Sequence, residues 1–324
     1  MGEIADAVKI LRAGGLVALP TETVYGLGGD ATNAQAVEKI FAAKGRPATN
    51  PLIVHVADES MARRYASDWP DHAVALSRRF WPGPLTLVVK KAAIIPDVVT
   101  AGRPTIGLRA PDHPLALELL GEFEGPIAAP SANRSNRVSP TTADHVRQEL
   151  GDAVDLILDG GPCRVGIEST VLDLSGLTPT ILRPGGISQG QIERVIGKVG
   201  LFRGLVEKHT SAASPGQQEI HYAPHHPAFR FTTEQAPTLR DRLAQFPPGR
   251  VALIWLGDLD VPEKAFQRVW RMPSSAEQYA QALYSVLREA DACGAQEIWV
   301  QMPPDEPQWA AVRDRLSRGT KPLL

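Results

Sequence analysis

The chain is poor in the features that mark extracellular, membrane and nucleic-acid-coating proteins. It has two cysteines, Cys163 and Cys293, which lie far apart and form no CxxC pair. This excludes a disulfide framework and a thiolate metal site, and it is typical of a reducing compartment. The net charge of -2 argues against a protein built mainly to coat nucleic acid, although it leaves room for a local basic pocket. No apolar run approaches the length that spans a bilayer, so we expect a cytoplasmic protein without membrane contact.

Several common catalytic signatures are also missing from the sequence. No Walker A sequence is present, which argues against a P-loop ATPase, and no GxGxxG sequence supports dinucleotide binding. No GxSxG sequence occurs, and neither cysteine stands in a known catalytic pattern, so a hydrolase with a Ser or Cys nucleophile is disfavoured. His221, His225 and His226 have no carboxylate or thiolate at a known ligand spacing, and we predict no metal site.

What the sequence has is a regular alternation of short apolar strands and amphipathic helices over residues 1–200. With 324 residues and 43% hydrophobic content, the chain is long enough for two domains. The strands are predicted at Leu16–Pro20, Leu52–Val56, Leu85–Lys90, Thr105–Arg109, Pro126–Pro130, Leu156–Asp159, Ser169–Leu174 and Thr180–Arg183. The helices are predicted at Ile4–Ala13, Asn33–Ala43, His72–Phe80, Pro114–Phe123, Thr142–Leu150 and Gln189–Ile196. This alternation indicates an α/β or α+β domain around one mixed sheet.

The pattern lapses between about residues 205 and 228, where proline and glycine indicate an extended linker. Beyond it, strands at Val251–Leu256 and Ile298–Gln301 flank a helix at Ala276–Ala290, and a last helix runs from about Gln308 to Leu316. Strand–helix–strand at this spacing suggests a smaller, Rossmann-like α/β domain. We therefore predict a first domain over residues 1–208, a linker over 209–228 and a second domain over 229–324.

The segment from Lys44 to Val56 concentrates polar side chains between a helix and a strand. Asn33 is a suitable N-cap for that helix, and Gly45 with two prolines ends it and forces an extended loop. A rigid loop that carries Lys44 and Arg46 is suited to hold an anion, because Lys supplies a point charge and Arg a planar fork of donors. The alternative is that both cations merely complement the negative end of the helix.

Other polar residues stand at strand ends, where ligand sites of α/β proteins usually form. Thr21-Glu22-Thr23 follows the first strand and precedes Gly26-Leu27-Gly28-Gly29, which we predict as a flexible turn. The remaining candidates are Asn50, His55, Thr105, Arg109, Ser131, Asn133, Ser139, Ser169, Thr170 and Arg183. Each has an ordinary alternative as a turn former or a surface ion pair. Together, these candidates combine cations with hydroxyl and amide groups, and no pair of carboxylates stands out as acid and base. This combination favours an anionic substrate and the transfer of a phosphoryl or nucleotidyl group.

A series of motifs, in order along the chain, resembles the YrdC family. They are Pro20-Thr21-Glu22-Thr23-Val24-Tyr25-Gly26-Leu27-Gly28, the run from Lys44 to His55, Phe80-Trp81-Pro82-Gly83-Pro84-Leu85-Thr86, Gly107-Leu108-Arg109-Ala110-Pro111-Asp112-His113-Pro114, Ala129-Pro130-Ser131-Ala132-Asn133, Ser139-Pro140-Thr141-Thr142, Gly166-Ile167-Glu168-Ser169-Thr170-Val171 and Leu182-Arg183-Pro184-Gly185-Gly186. This resemblance covers nearly the whole first domain. Ser214-Pro215-Gly216, His221-Tyr222-Ala223-Pro224 and the second domain resemble the longer, two-domain form of the family's threonylcarbamoyl-AMP synthases.

The resemblance implies both a fold and an activity. The fold is a twisted mixed α/β sheet around a basic cavity, followed by a Rossmann-like domain whose linker covers the active site. The activity is that of a nucleotidyltransferase, which joins L-threonine, bicarbonate and ATP, with Mg²⁺, into L-threonylcarbamoyladenylate and releases pyrophosphate. This is the first step of the threonylcarbamoyladenosine modification of tRNA. A downstream complex transfers the group to tRNA, so direct tRNA binding by this chain is not required.

The resemblance also implies which residues bind the substrates. Threonine would be held by Thr23, His55, Arg109, the backbone of Ala129, and Ser169, with Arg109 paired to the threonine carboxylate. ATP would be held by Lys44, Arg46, Asn50, Thr105, Ser131, Asn133, Ser139, Arg183 and, from the linker, Tyr222. Lys44 and Arg46 would also be catalytic, because with Mg²⁺ they offset the charge of the leaving pyrophosphate.

The chain departs from the family pattern after Ser214-Pro215-Gly216. Gln217-Gln218-Glu219-Ile220 stands where the family usually carries Met-Lys-Tyr-Arg. Two expected cations are therefore missing, and Glu219 adds a charge that repels phosphate.

Three alternative functions are weighed against the synthase. A related carbamoyltransferase normally adds a large metal-binding domain or an acylphosphatase and zinc-finger segment, which this sequence lacks. A module for double-stranded RNA would use the basic cavity and bind RNA with an affinity that falls steeply with salt. A regulatory protein with an inactive site is disfavoured, since Lys44, Arg46, Ser131 and Asn133 are intact.

Overall fold

The computed structural model describes residues 2–202, 221–257 and 263–323. The described residues form two compact units. The first unit runs to Ser135 and resumes at Ser139, whereas the second contains Asn136–Val138 together with the described residues after 220. Positions 209–220 of the predicted linker, including Gln217-Gln218-Glu219-Ile220, lie outside the described residues, so the predictions made for them stay predictions.

The first unit contains alternating strands and helices. Its strands are β1 (Val17–Leu19), β2 (Gly26–Asp30), β3 (Ile53–His55), β4 (Leu85–Lys90), β5 (Thr105–Arg109), β6 (Ile127–Ala128), β7 (Leu156–Ile157), β8 (Thr170–Asp173), β9 (Thr180–Arg183) and β10 (Gly200–Leu201). Its α-helices are α1 (Gly2–Arg12), α2 (Ala34–Lys44), α3 (Glu59–Tyr65), α4 (Asp71–Phe80), α5 (Asp97–Thr100), α6 (Pro114–Phe123), α7 (Ala143–Leu150) and α8 (Gln189–Ile196).

The described strands of the first unit form one mixed sheet. Its order is β10-β9-β8-β4-β5-β3-β6-β2-β1-β7. The sheet contains parallel pairs, such as β3 with β5 and β4 with β8, and antiparallel pairs, such as β4 with β5 and β3 with β6. The predicted α/β fold with a mixed sheet is therefore confirmed.

The apolar faces of the helices cover this sheet with separate hydrophobic clusters. On α1, Ile4, Val8 and Leu11 are buried together with Leu119 of α6. A larger cluster includes residues of α2, α4 and the central strands. A third and small cluster joins β3, β4, β8 and β9 through Ile53, Val88, Val171 and Leu182. Most of the sequence-predicted elements are confirmed, because their apolar spacing matches the surfaces that are buried.

Helix α2 begins and ends at the residues that the sequence indicates. The Asn33 side chain accepts hydrogen bonds from the amides of Gln35 and Ala36, and Gly45 ends the helix with a φ of 59°, in the left-handed region that glycine adopts without strain. Lys44 was expected in the loop, but it is the last residue of the helix and is buried. The helix end, rather than a free loop, therefore sets the position of its ammonium group.

The flexible turn predicted at Gly26-Leu27-Gly28-Gly29 is wrong. These residues belong to β2, which pairs with both β1 and β6. A Cβ added at Gly28 would lie 2.8 Å from Leu19 Cδ2 and 2.9 Å from Ile127 Cγ2. Glycine is present because the neighbouring strands approach closely, and not because the chain turns.

The second unit is a smaller α/β unit with a wholly parallel sheet in its described part. Its strands are β11 (Ala228–Phe231), β12 (Val251–Leu256), β13 (Arg268–Met272), β14 (Glu297–Gln301) and β15 (Lys321–Pro322), in the order β13-β12-β14-β11-β15. Its α-helices are α9 (Leu239–Leu243), α10 (Ala276–Ala292) and α11 (Ala310–Gly319). The predicted strand–helix–strand arrangement is confirmed. The sequence missed β13 because the exposed Arg268 and Arg271 interrupt its apolar residues, so no continuous apolar run marks this edge strand.

Asn136–Val138 belong to the second unit although they lie far from it in sequence. The amide of Ala223 donates to the carbonyl of Asn136 at 2.9 Å. The guanidinium of Arg288, on α10, donates to the carbonyl of Val138. The second unit is therefore built from two separate stretches of the chain.

None of the helices in the described ranges 2–202, 221–257 and 263–323 is both long and apolar enough to cross a bilayer.

Candidate active site

Strands β3 and β5 bring two predicted threonine-binding residues side by side. Their parallel register pairs His55 with Arg109 at the carboxyl ends of both strands. Both residues are buried, His55 with 3% and Arg109 with 4% of its surface exposed. Such strand ends are where α/β proteins usually bind ligands.

Three residues of β5 face one side of the sheet. Thr105, Gly107 and Arg109 alternate along the strand, and its first and last residues lie roughly 13 Å apart at about 3.3 Å per residue. A groove is lined by Thr105 and Gly107 together with Ile53 and Thr86 of the neighbouring strands. The strand therefore connects Thr105, which is predicted to bind ATP, to Arg109, which is predicted to bind threonine. The distance between them suits an amino acid joined to a nucleotide phosphate.

The turn after β1 fixes Thr23 through a chain of hydroxyl groups. Thr21 Oγ1 donates to the carbonyl of Val24 at 2.6 Å and lies 2.8 Å from Thr23 Oγ1. Because a hydroxyl carries one hydrogen, Thr23 must be the donor in the second contact. The lone pairs of the buried Thr23 oxygen are then left to accept hydrogen bonds.

Glu22 is a candidate that the sequence did not assign to a ligand. Its Oε2 lies 2.7 Å from Arg109 Nη2 and accepts a hydrogen bond from the amide of Asp112 at 3.0 Å. Arg109 Nε also donates to the carbonyl of Gly83 at 3.2 Å. Arg109 therefore has a carboxylate partner within the protein itself. The available signal was the position of this carboxylate three residues after the end of the buried apolar strand β1.

The imidazole of His55 is neutral at ordinary pH. Burial lowers its pKa to about 3, and the positive charge of Arg109 acts in the same direction, while the backbone of Ile127 opposes both. A neutral imidazole has one donor and one acceptor nitrogen. The His55 ring can therefore recognise hydroxyl or amine groups but adds no charge.

Lys44 connects the end of α2 to the loop that follows β6. Its ammonium group donates to the carbonyl oxygens of Ser131 and Asn133. Burial, followed by the charge of Arg46, lowers the pKa of Lys44 well below its usual value, and Glu149 opposes this. The structure thus brings three predicted ATP-binding residues together, and an anion bound here would favour the charged ammonium form.

Arg46 and Asn50 form a second part of the predicted ATP site. Arg46 Nη2 donates to the carbonyl of Pro51 at 2.9 Å and to that of Asn50 at 3.3 Å. Arg46 and Asn50 are both buried. These bonds hold the guanidinium against the loop. The side chain therefore loses little conformational entropy when a phosphate binds.

Ser139 is held by a carboxylate. Its hydroxyl donates to Glu168 Oε1 at 2.6 Å, and both residues are buried. Glu168 lies directly before Ser169, so this contact links the predicted nucleotide residue Ser139 to the segment that enters β8. Glu168 was quoted in the sequence motif but was not assigned a role.

Ser169 and Arg183 lie together beside β8 and β9. Arg183 donates to the carbonyl of Ser169 from Nε at 3.2 Å and from Nη2 at 3.0 Å. The Ser169 hydroxyl lies 2.8 Å from Thr86 Oγ1. A residue assigned to threonine thus contacts a residue assigned to ATP.

The backbone of Ala129 and the side chain of Tyr222 complete the predicted set. The Ala129 amide donates to the carbonyl of Ile53 at 2.9 Å, so its carbonyl is the group that can serve a ligand. Tyr222 is a residue of the second unit, where its ring stacks on Tyr284 at 5.8 Å and lies 5.1 Å from the guanidinium of Arg315. Its contact with ATP stays a prediction.

Among the residues that the structure describes, no group of three or more His, Cys, Asp or Glu side chains could hold a metal ion. His225 and His226 both contact Asp291, with Nδ1–oxygen distances of 2.9 Å.

Two sequence profiles of known families together match most of the chain. The first, of the Sua5–YciO–YrdC family and described as "Telomere recombination", matches residues 9–185. The chain belongs to this family. The second, described as "Threonylcarbamoyl-AMP synthase, C-terminal domain", matches residues 187–320. The resemblance inferred from the motifs is thereby confirmed.

Curated relatives match the chain over nearly its whole length. The threonylcarbamoyl-AMP synthase of Pyrococcus abyssi is 39% identical over 98% of this chain and 94% of its own. The threonylcarbamoyl-AMP synthase of Bacillus subtilis is 42% identical over 98% of this chain and 92% of its own. The crystal structure of P. abyssi Sua5 complexed with L-threonine has a TM-score of 0.90 and 37% identity, and the match covers 98% of this chain and 95% of that one.

Proposed function

We propose that the chain synthesises L-threonylcarbamoyladenylate from L-threonine, bicarbonate and ATP and releases pyrophosphate, as a nucleotidyltransferase. The observation that carries the proposal is the near-full-length similarity to P. abyssi Sua5, whose structure contains L-threonine. This synthesis is the first step of the threonylcarbamoyladenosine modification of tRNA.

Threonine binds at the carboxyl ends of β3 and β5, beside His55 and Arg109. Arg109 binds its carboxylate, and charge-assisted hydrogen bonds of this kind contribute roughly 1.5–3 kcal/mol. Thr23 and the carbonyl of Ala129 accept hydrogen bonds, and the neutral ring of His55 can accept or donate. Ser169 lies at the side towards β8.

ATP occupies the part of the site around the end of α2 and the start of β5. The cations Lys44 and Arg46 hold the phosphates by charge, and the hydroxyl and amide groups orient the nucleotide. The further residues proposed for ATP binding in the first unit are Asn50, Thr105, Ser131, Asn133, Ser139 and Arg183. The rigid attachment of Arg46 to the carbonyls of Asn50 and Pro51 supports a preorganised phosphate site.

The chemistry requires two bonds to form in sequence. The threonine amine, after losing a proton, bonds to the carbon of bicarbonate while a C–O bond of bicarbonate breaks and water leaves, which gives a carbamate. A carbamate oxygen then bonds to the α-phosphorus of ATP while the bond to the pyrophosphate oxygen breaks. Orientation of the carbamate in line with that bond supplies much of the rate, and Lys44 and Arg46 stabilise the charge on the departing pyrophosphate.

Mg²⁺ accompanies ATP as part of the substrate. Because Mg²⁺ in such sites is bound through substrate phosphates, water and one or two carboxylates, a dedicated cluster of protein ligands is not needed. The buried carboxylate of Glu168, next to Ser139, fits this limited requirement. When bound, the ion neutralises charge on the phosphates.

The product leaves for a downstream complex that transfers the threonylcarbamoyl group to tRNA. We therefore expect the protein to act in the cytoplasm, together with tRNA and ATP. Direct tRNA binding is not required for the proposed reaction.

The test is pyrophosphate release by the purified protein with ATP, Mg²⁺ and bicarbonate, with and without L-threonine. We expect release that requires both threonine and bicarbonate. Release without threonine would point to another carbamoyl acceptor or to ATP hydrolysis. No release, combined with RNA binding that weakens steeply as salt rises, would favour the RNA-binding alternative.

A further inference from the structure

In the described structure, one carboxylate oxygen of Glu22 has polar partners and the other has no hydrogen-bond partner. Oε2 contacts Arg109 Nη2 at 2.7 Å and the amide of Asp112 at 3.0 Å. Oε1 is buried and has no hydrogen-bond partner among the described residues. The Glu22 side chain is fully buried. Burying a carboxylate oxygen without a hydrogen-bond donor costs free energy. We therefore expect a bound ligand to donate a hydrogen bond to Oε1.

A ligand bound next to Arg109 can supply that donor. The two oxygens of a carboxylate share one carbon atom, so Oε1 lies within a few ångströms of Arg109 Nη2. The other groups predicted for threonine are mainly acceptors here, namely the Thr23 oxygen and the Ala129 carbonyl. A ligand that fits this surface presents N–H groups to the acceptors and a carboxylate to the arginine.

The charges of Glu22 and Arg109 also favour a ligand that carries both an amine and a carboxylate. Glu22 and Arg109 cancel each other's charge, and His55 is neutral. A ligand with a net charge of zero and separated positive and negative groups can bind without leaving a buried charge uncompensated. A free α-amino acid has this character, whereas its analogue without the amine does not.

We propose that Glu22 binds the amine of the amino-acid substrate through Oε1 while Oε2 holds Arg109 in position for the substrate carboxylate. Glu22 thereby selects substrates with a free α-amine. This inference rests on the proposed function, since it assigns a residue to the recognition of threonine.

The experiment measures binding of L-threonine and of 3-hydroxybutyrate, which has the same carboxylate and hydroxyl but no amine. Wild-type protein should bind threonine far more tightly than 3-hydroxybutyrate. In Glu22→Gln, threonine affinity should fall about 10- to 100-fold, the range of one charge-assisted hydrogen bond. Affinity for 3-hydroxybutyrate should change little in this variant, and ATP affinity should not change.

A purely structural role makes a different prediction. If Glu22 only positions Arg109, Glu22→Gln should weaken both ligands by the same factor, and the contact with the amine would be refuted. Glu59→Gln is the matched control, because Glu59 is another glutamate that pairs with an arginine, Arg63, but lies on α3 outside the proposed site. It should leave the ratio of threonine to 3-hydroxybutyrate affinity unchanged.

Two further measurements keep the inference testable if Glu22→Gln does not fold. Glu22→Asp retains the charge and should keep part of the preference for threonine. In the wild-type protein, equal affinity for threonine and 3-hydroxybutyrate would overturn the role of Glu22 but not threonine binding. Wild-type protein that binds ATP but no threonine would overturn the proposed function as well.

Discussion

Arg183 Nη2 lies 3.0 Å from the carbonyl oxygen of Ser169 and 3.2 Å from its hydroxyl oxygen. In the proposed site, Arg183 serves ATP and Ser169 serves threonine. One guanidinium group therefore contacts a residue of the other subsite through both backbone and side chain. Binding of the two substrates is expected to be coupled through this contact.

We expect Arg183→Ala to raise the KM for threonine as well as the KM for ATP, each by about 10-fold or more. The reason is that Ser169 loses the donor that fixes both of its oxygens. Steady-state pyrophosphate release with each substrate varied in turn measures both constants. Arg46→Ala is the comparison, because Arg46 donates to the carbonyls of Asn50 and Pro51 and should affect mainly the KM for ATP. An unchanged KM for threonine in Arg183→Ala would contradict the coupling.

Removing Arg109 should cost stability as well as threonine binding. Arg109→Ala leaves the buried carboxylate of Glu22 without its cation, which typically destabilises a protein by about 3–5 kcal/mol. Denaturant unfolding measures this loss, and calorimetry should show threonine affinity reduced more than ATP affinity. In the double variant Glu22→Gln/Arg109→Met, part of the stability should return but threonine affinity should not. Folded Arg109→Ala with normal threonine affinity would show that the carboxylate binds elsewhere.

ATP binding should be accompanied by proton uptake at Lys44. Burial and Arg46 lower the pKa of this ammonium group in the free protein, and a bound triphosphate would raise it again. ATP affinity should therefore increase as the pH falls through the range in which Lys44 titrates. Calorimetry in buffers of different ionisation enthalpy measures the protons taken up. Lys44→Arg, which stays charged, should abolish this uptake, and uptake that persists in the variant would assign it to another group.

Acid should destabilise the folded protein partly through His55. The folded-state pKa of about 3 lies below the unfolded value of about 6.5, so the unfolded chain binds a proton first. The contribution of His55 is complete above about pH 6.5 and is lost as the pH falls towards 3, by up to about 1.4 kcal/mol per pH unit. Denaturant unfolding from pH 7 to 4 should show a shallower pH dependence in His55→Gln. His72→Gln, at an exposed position, should retain the wild-type slope.

The parts of the fold that the sequence predicted have local causes. Strand β5 is an alternating run that ends at Arg109, and α2 is bounded by a capping Asn33 and a left-handed Gly45. These signals depend on residues within a few positions of each other. The clustering of site residues at strand ends follows from the same elements.

The parts that the sequence did not predict depend on residues that are distant along the chain. Strand β2 is rich in glycine because Leu19 and Ile127 pack against Gly28, and that requirement is visible only in three dimensions. In the same way, nothing near Glu22 in sequence indicates its contact with Arg109. Edge strands such as β15, with two residues, have too few positions to show a pattern.

The inclusion of Asn136–Val138 in the second unit determines which fragments of the protein can be expected to fold. A C-terminal fragment that begins after residue 220 would lack the carbonyl groups that Ala223 and Arg288 bind. A simple cut in the linker therefore does not yield two complete modules. Chimeras that exchange the C-terminal part between relatives should therefore also exchange residues 136–138, because the smaller unit is discontinuous in sequence.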